Sequence, residues 1–298
     1  MKFGQLLAIF PVLACFGCNP SQKRSGAQPD AQEVNSDTRK SELEADSNNS
    51  RIFADIAAGE SARDLLKILL KKANDGDADA QWNVGAMYER GEGVPKNDAE
   101  AVKWYRKAAD QGDAGAEFSL GGSYFRGEGV PKDHAEAVKW FRKAADRGLP
   151  VAQLSLGILY SKGEGVPEDH AEAVKWYRKA ADQGHAEAQS DLGFMYSNGE
   201  GVPEDDAEAV KWFRKAADQG FAKAQLNLGS MYSEGEGVEK DYAEAVKWYR
   251  KAADQGLGLA QFSLALMYSE GKGVQEDDAE ASKWFRKAAD QGYSRQPE

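Results

Sequence analysis

After Cys18 the chain contains no cysteine, which removes disulfides, thiolate nucleophiles and cysteine metal sites from nearly all of its 298 residues. Histidine is almost as scarce, with three in the whole sequence. His134 and His170 share one repeat-equivalent place, filled elsewhere by Asp98, Asp206, Tyr242 and Asp278, and read as solvated helix starts. His185 falls in a loop outside that column, so no tetrahedral zinc set forms. No basic run stands out against 49 acidic and 38 basic residues, a net charge of -11, which excludes the electrostatic footprint of a nucleic-acid binder. G-x-S-x-G, H-E-x-x-H and a phosphate-cradling glycine loop are all missing. Acidic loops such as Pro203-Glu204-Asp205-Asp206 lack the alternating oxygen ligands of a calcium loop.

Long apolar runs are missing too, apart from Phe3 to about Gly17, which is too short for a membrane span. With Lys2 ahead of it, residues 1–18 read as a secretory signal peptide. Val12-Leu13-Ala14-Cys15 resembles a bacterial lipobox, and Phe16-Gly17-Cys18 is a second candidate, so the expected acyl acceptor is Cys15 or Cys18. An ordinary signal cleaved after Ala14 is the plainer alternative. Residues 19–50 turn to Ser, Gln, Asp, Asn, Lys and Glu, too polar to bury a core, and read as a disordered linker with a reach of roughly 30 Å. The expected location is therefore the periplasm or the cell surface, on a lipid anchor.

What the sequence has in abundance is periodicity. Trp104, Trp140, Trp176, Trp212, Trp248 and Trp284 recur every 36 residues, and Gly91, Gly127, Gly163, Gly199, Gly235 and Gly271 keep the same interval. Six units follow, 77–112, 113–148, 149–184, 185–220, 221–256 and 257–292, with 293–298 as a tail. Each reads as two helices. The first runs from about Ala78 to Arg90 and stops at Gly91. The second opens on Asn97 with Glu100 three residues later, a capping-box spacing repeated in every unit. Ala101, Trp104, Tyr105 and Ala108 then form a stripe to bury, while Lys103, Arg106 and Lys107 stay wet.

Glycine within the first helix (Gly85, Gly121, Gly157, Gly193, Gly229) costs about 1 kcal/mol against alanine, so close helix approach must offset it. In the last unit that position is Ala265, and the valine column from Val102 to Val246 becomes Ser282. Both changes are read as falling where a following repeat would pack, which makes the last unit an end cap. Residues 51–76 form an N-terminal capping helix, with Ile68 in the tryptophan place and Gly76 in the closing-glycine place. The fold class expected is all-α: a right-handed α/α solenoid of six 36-residue helix-turn-helix repeats.

The unit AGAEFSLGGSYFRGEGV followed by AEAVKWFRKAADRG, with comparable copies throughout, resembles the Sel-one-like repeat, a relative of the tetratricopeptide repeat. That resemblance implies a non-catalytic adaptor whose concave groove holds a protein or peptide partner, with no cofactor and no fixed set of functional residues. Bacterial members include secreted and lipidated envelope proteins. A cysteine-rich branch linked to penicillin-like compounds has disulfides this chain lacks, so that activity is not implied. Ser269-Glu270-Gly271-Lys272 fits S-x-x-K, but equivalent turns read SKGE, SNGE and SEGE, and SDN and KTG are missing.

In helical-hairpin solenoids the first helices line the concave face. The column Arg90, Arg126, Lys162, Asn198, Glu234, Glu270 passes from basic to acidic along the stack and is the candidate partner-binding set. A second column, Ala86, Gly122, Ile158, Phe194, Ser230 and Leu266, with Met87, Leu159, Met195, Met231 and Met267, offers an adaptable apolar floor. Two other functions compete with the adaptor: a glycan- or peptidoglycan-binding envelope component, and a hydrolase of β-lactam-like substrates.

Overall fold

The computed structural model describes residues 62–293, so the expected signal peptide with Cys15 and Cys18, the expected linker and residues 51–61 of the expected capping segment lie outside the described residues. The chain divides into units of residues 1–65 and 66–298, and the repeats lie wholly within the second. Among the described residues there are thirteen α-helices and no strand. Helix α1 is Ala62–Asn74. The first helices of the six repeats are α2 (Ala78–Arg90), α4 (Ala114–Arg126), α6 (Pro150–Lys162), α8 (Ala186–Asn198), α10 (Ala222–Glu234) and α12 (Gly258–Glu270). The second helices are α3 (Asp98–Asp110), α5 (His134–Asp146), α7 (His170–Asp182), α9 (Asp206–Asp218), α11 (Tyr242–Asp254) and α13 (Asp278–Ala289). From α2 onward each helix packs on the one before and the one after it, the arrangement of an all-α solenoid.

Local sequence accounts for the helix ends. Each first helix stops at a glycine in the left-handed region, such as Gly91 at φ 73°, whose N–H donates to the Met87 carbonyl. Each second helix starts on a side-chain cap: Asp133 Oδ1 accepts the Glu136 N–H at 3.0 Å. The expected capping box is only half realised. The N-cap N–H donates instead to a first-helix carbonyl, Asp133 to Tyr124 at 2.9 Å. With that donor already occupied, the Glu136 carboxylate turns outward and accepts from Lys139 at 2.7 Å.

The core repeats with the sequence. Ala101, Val102, Tyr105, Ala108 and Ala109 of α3 pack with Ala116 and Leu120 of α4 and with Trp140 of α5. The tryptophan thus reaches back to the second helix of the preceding repeat, and Trp176, Trp212, Trp248 and Trp284 do the same. Ile68, in the tryptophan place of α1, is 43% exposed because no second helix precedes it among the described residues.

The helix glycines pack where close approach was expected. A Cβ at Gly157 would lie 2.5 Å from the Tyr177 ring, and one at Gly193 would lie 2.8 Å from Phe213. Each is a contact between the two helices of one repeat. Ala265 therefore faces its own repeat and not a following one: it is fully buried in the cluster against which Phe285 packs. The end-cap reading of Ala265 is corrected accordingly, whereas Ser282 is exposed.

A second glycine fixes one repeat to the next. Gly201 has φ +69°, and a Cβ there would lie 2.3 Å from the backbone carbonyl of His170. The glycine turn is thus pressed onto the first turn of the preceding second helix, and Gly129, Gly165, Gly237 and Gly273 make the same approach.

Candidate functional site

The first-helix face is assembled from half-exposed side chains, about one helical turn apart within a helix and 36 residues apart between helices. Trp82, Phe118 and Phe262 stand in one column, and Ile158, Phe194 and Leu266 in the next. The Trp82 indole N–H donates to Ser119 Oγ at 3.0 Å, which locks the ring against the neighbouring repeat. Only part of the expected apolar floor is accessible. Met87, Met195, Met231 and Met267 are 3–6% exposed and belong to the core, because their column points toward the second helices.

The charged column at the helix ends is partly neutralised within the protein. Arg90 pairs with Glu92 at 3.7 Å, and Arg126 pairs with Glu89 at 3.1 Å and Glu128 at 2.5 Å. At the opposite end Glu270 pairs with Lys272 at 2.7 Å. Lys162, Asn198 and Glu234 remain exposed between them. Burial and the neighbouring Glu236 push the Glu234 carboxyl above its ordinary range, against the pull of Lys240.

Asp191 occupies the middle of this face. It lies one turn before Phe194 on α8, in a column otherwise filled by Asn83, Ser119, Ser155, Asn227 and Ser263. Burial first, and Glu187 second, push its carboxyl up to about 7, while Lys223 and Lys162 pull the other way. The sequence alone offered one clue to it, the single acid in a column of amides and hydroxyls.

A hydrogen-bonded glutamine ladder runs along the edge of the repeats. Gln183 Nε2 donates to Gln153 Oε1 at 2.8 Å, and Gln153 Nε2 donates to the Ala145 carbonyl at 3.1 Å. The pattern recurs at Gln111–Gln81, Gln219–Gln189, Gln255–Gln225 and Gln291–Gln261. In the second repeat Glu117 and Arg147 replace both glutamines. The Glu117 side chain is 2% exposed and accepts from Arg147 Nε at 3.0 Å. A cleft of about 510 Å³ opens there, lined by Ala109, Asp110, Glu117, Lys143, Asp146 and Arg147.

The histidines have structural roles that the sequence reading missed. His185 caps α8, its Nδ1 accepting the Ala188 N–H at 3.4 Å. His134 stacks on Phe125 with ring centroids 4.6 Å apart, and His170 Nε2 lies 3.1 Å from Glu168. Both are half-buried, not simply solvated, because the following glycine turn covers them. Among the described residues no group of three or more His, Cys, Asp or Glu could hold a metal ion. Ser269 Oγ donates to the Leu266 carbonyl at 3.1 Å, as Ser161, Ser197 and Ser233 do at their own helix ends, and Lys272 is drawn to Glu270.

The family model of the Sel1 repeat matches residues 78–113, 114–149, 150–185, 186–221, 222–257 and 258–293. The chain belongs to the Sel1 repeat family, whose members commonly serve as protein-interaction scaffolds and are typically not enzymes. It is similar to the crystal structure of c5321, a protective antigen of uropathogenic Escherichia coli with an SLR fold. That match has 45% identity and a TM-score of 0.75, covering 76% of this chain and 49% of the other. The chain thus spans about half the length of that antigen. A Sel1 repeat protein from Oxalobacter formigenes is 32% identical with a TM-score of 0.70, covering 82% of this chain and 96% of that one. No curated protein matches the chain.

Proposed function

We propose that the protein is an exported, non-catalytic scaffold that holds a partner protein or peptide on its first-helix face. A lipid on Cys15 or Cys18 would tether it within the bacterial envelope, with residues 19–50 as the spacer. The observation that carries this reading is where the repeats differ. The second helices of the first five repeats share the AEAVKW run, whereas Ala86, Gly122, Ile158, Phe194, Ser230 and Leu266 occupy one equivalent first-helix place, the last four of them half-exposed. The solenoid needs no such variety to stack, so the varied face is available for recognition.

The side chains assigned to partner contact are Arg90, Arg126, Lys162, Asn198, Glu234 and Glu270. Lys162 and Glu234 are expected to contribute most, since the outer members already pair within the chain. The test is capture of partners from solubilised native envelope by the full chain and by a Lys162→Glu, Glu234→Lys variant. A discrete protein held by the parent and released by the variant is the expected result. Retention only on protein-stripped cell-wall material replaces the scaffold with a glycan binder. Nitrocefin hydrolysis that disappears in Ser269→Ala replaces it with an enzyme.

A further inference from the structure

The most distinctive chemistry on the first-helix face lies at its centre. Ile158 on α6 and Phe194 on α8 are repeat equivalents, and both are half-exposed. One helical turn before Phe194 on α8 is Asp191, which makes no hydrogen bond or ion pair among the described residues. Other members of its column are engaged: Asn83 donates to the Asp79 carbonyl at 2.8 Å, Ser119 accepts from Trp82 at 3.0 Å and Ser155 donates to the Val151 carbonyl at 2.9 Å. A half-buried carboxylate without a partner is costly in the free protein, and an incoming cation recovers that cost.

Resting on the reading of this face as a binding surface, we propose that its centre takes one lysine or arginine side chain from a peptide segment with apolar residues on either side. The cation pairs with Asp191, and the flanking apolar side chains cover Ile158 and Phe194. Charge complementarity and the apolar surroundings favour this occupant over an acidic or a wholly apolar segment. The charged and titratable groups acting on Asp191 are Glu187 on α8, Lys162 at the end of α6, Lys223 on α10 and Tyr177 from α7. Glu187 adds to the attraction for a cation, and the two lysines lie on the adjacent first helices, where they repel a second cation and restrict the site to one.

The carboxyl's elevation to about 7 supplies a second readout. A group with that value is ionised about tenfold more at pH 8 than at pH 6, so cation capture strengthens about tenfold across that interval.

The test selects random peptides displayed on phage against the full chain, with Asp191→Asn and Phe194→Arg variants in parallel and circular dichroism to verify that both fold. A selected peptide is then synthesised with its basic residue intact or replaced by norleucine, and binding is measured by calorimetry at pH 6 and pH 8. The expected result is enrichment of one Lys or Arg between apolar residues. Affinity should fall at least tenfold with either norleucine or Asp191→Asn, and Asp191→Asn should abolish the pH dependence. Peptides that bind wild type and Asp191→Asn equally but are lost on Phe194→Arg overturn this inference and leave the binding face intact. Failure to recover any peptide sensitive to Phe194→Arg overturns both.

Discussion

The Glu117–Arg147 pair offers a quantitative test of how the two helices of one repeat are tied at the ladder. Elsewhere the ladder holds neutral glutamines 2.7–3.0 Å apart, and each first-helix glutamine donates to an alanine carbonyl of the preceding second helix. Glu117 is 1% exposed and, as a carboxylate, has no proton to give Ala109, so Arg147 Nε holds it alone, at 3.2 and 3.0 Å from its two oxygens. Replacing Arg147 with Gln leaves a buried carboxylate facing one neutral donor. Breaking a fully buried pair costs about 3–5 kcal/mol, and since the Arg147 side chain is 51% exposed the expectation falls to about 2 kcal/mol. Glu117→Gln keeps the arginine half in water and restores a donor to Ala109, for a change of about 1 kcal/mol or less. The double variant rebuilds the ladder and should lie within about 1 kcal/mol of the parent, giving a coupling of about 2 kcal/mol. Urea unfolding followed by both circular dichroism and tryptophan fluorescence measures all four proteins, provided the two transitions coincide. Additivity within about 0.5 kcal/mol would refute Glu117 and Arg147 as a coupled rung of the ladder.

Three further outcomes are expected. Trp176→Ala removes a side chain shared between α5 and α7 and should cost about 3–5 kcal/mol, with hydrogen exchange rising in the repeats on both sides of the cut. Gly201→Ala sets a Cβ 2.3 Å from the His170 carbonyl and should cost more than about 2 kcal/mol in chemical denaturation. Gly220→Ala, at φ +91° with nothing within 4 Å, should cost only the backbone penalty of about 1–2 kcal/mol. His185 must be neutral to accept the Ala188 N–H, and burial holds its pKa below 6.5. Its cap is therefore complete above pH 6.5 and weakens as pH falls from 6.5 through the lower folded value. His185→Asp, the residue that caps α2 and α4 at Asp77 and Asp113, should remove that decline and add about 0.5–1 kcal/mol at neutral pH, read as a melting shift.

The parts of this fold legible in the sequence are those that depend on spacing along one helix. Trp140 and Phe141 announce a buried stripe because helical periodicity alone puts them on one side, and Gly127 announces a stop because little else tolerates its backbone. Contacts between helices depend on direction in space, and there the sequence misled or was silent. The Ala265 change looks like an adaptation to a free end, yet it faces its own repeat, since first-helix glycines meet the aromatic ring of their partner helix. Met195 and Phe194 are adjacent, and only the structure separates the core residue from the accessible one. Glu117 and Arg147 depart from glutamine together within one repeat, a paired change that carried the signal of contact. Asp191 follows the same logic only in part. Lys223 is the single base in its own column, beside Asp79, Gly115, Val151, Glu187 and Leu259, and it draws on Asp191. Yet it makes no ion pair with Asp191, whose carboxyl stays above its ordinary range, so the search for a closer complement turns to another molecule.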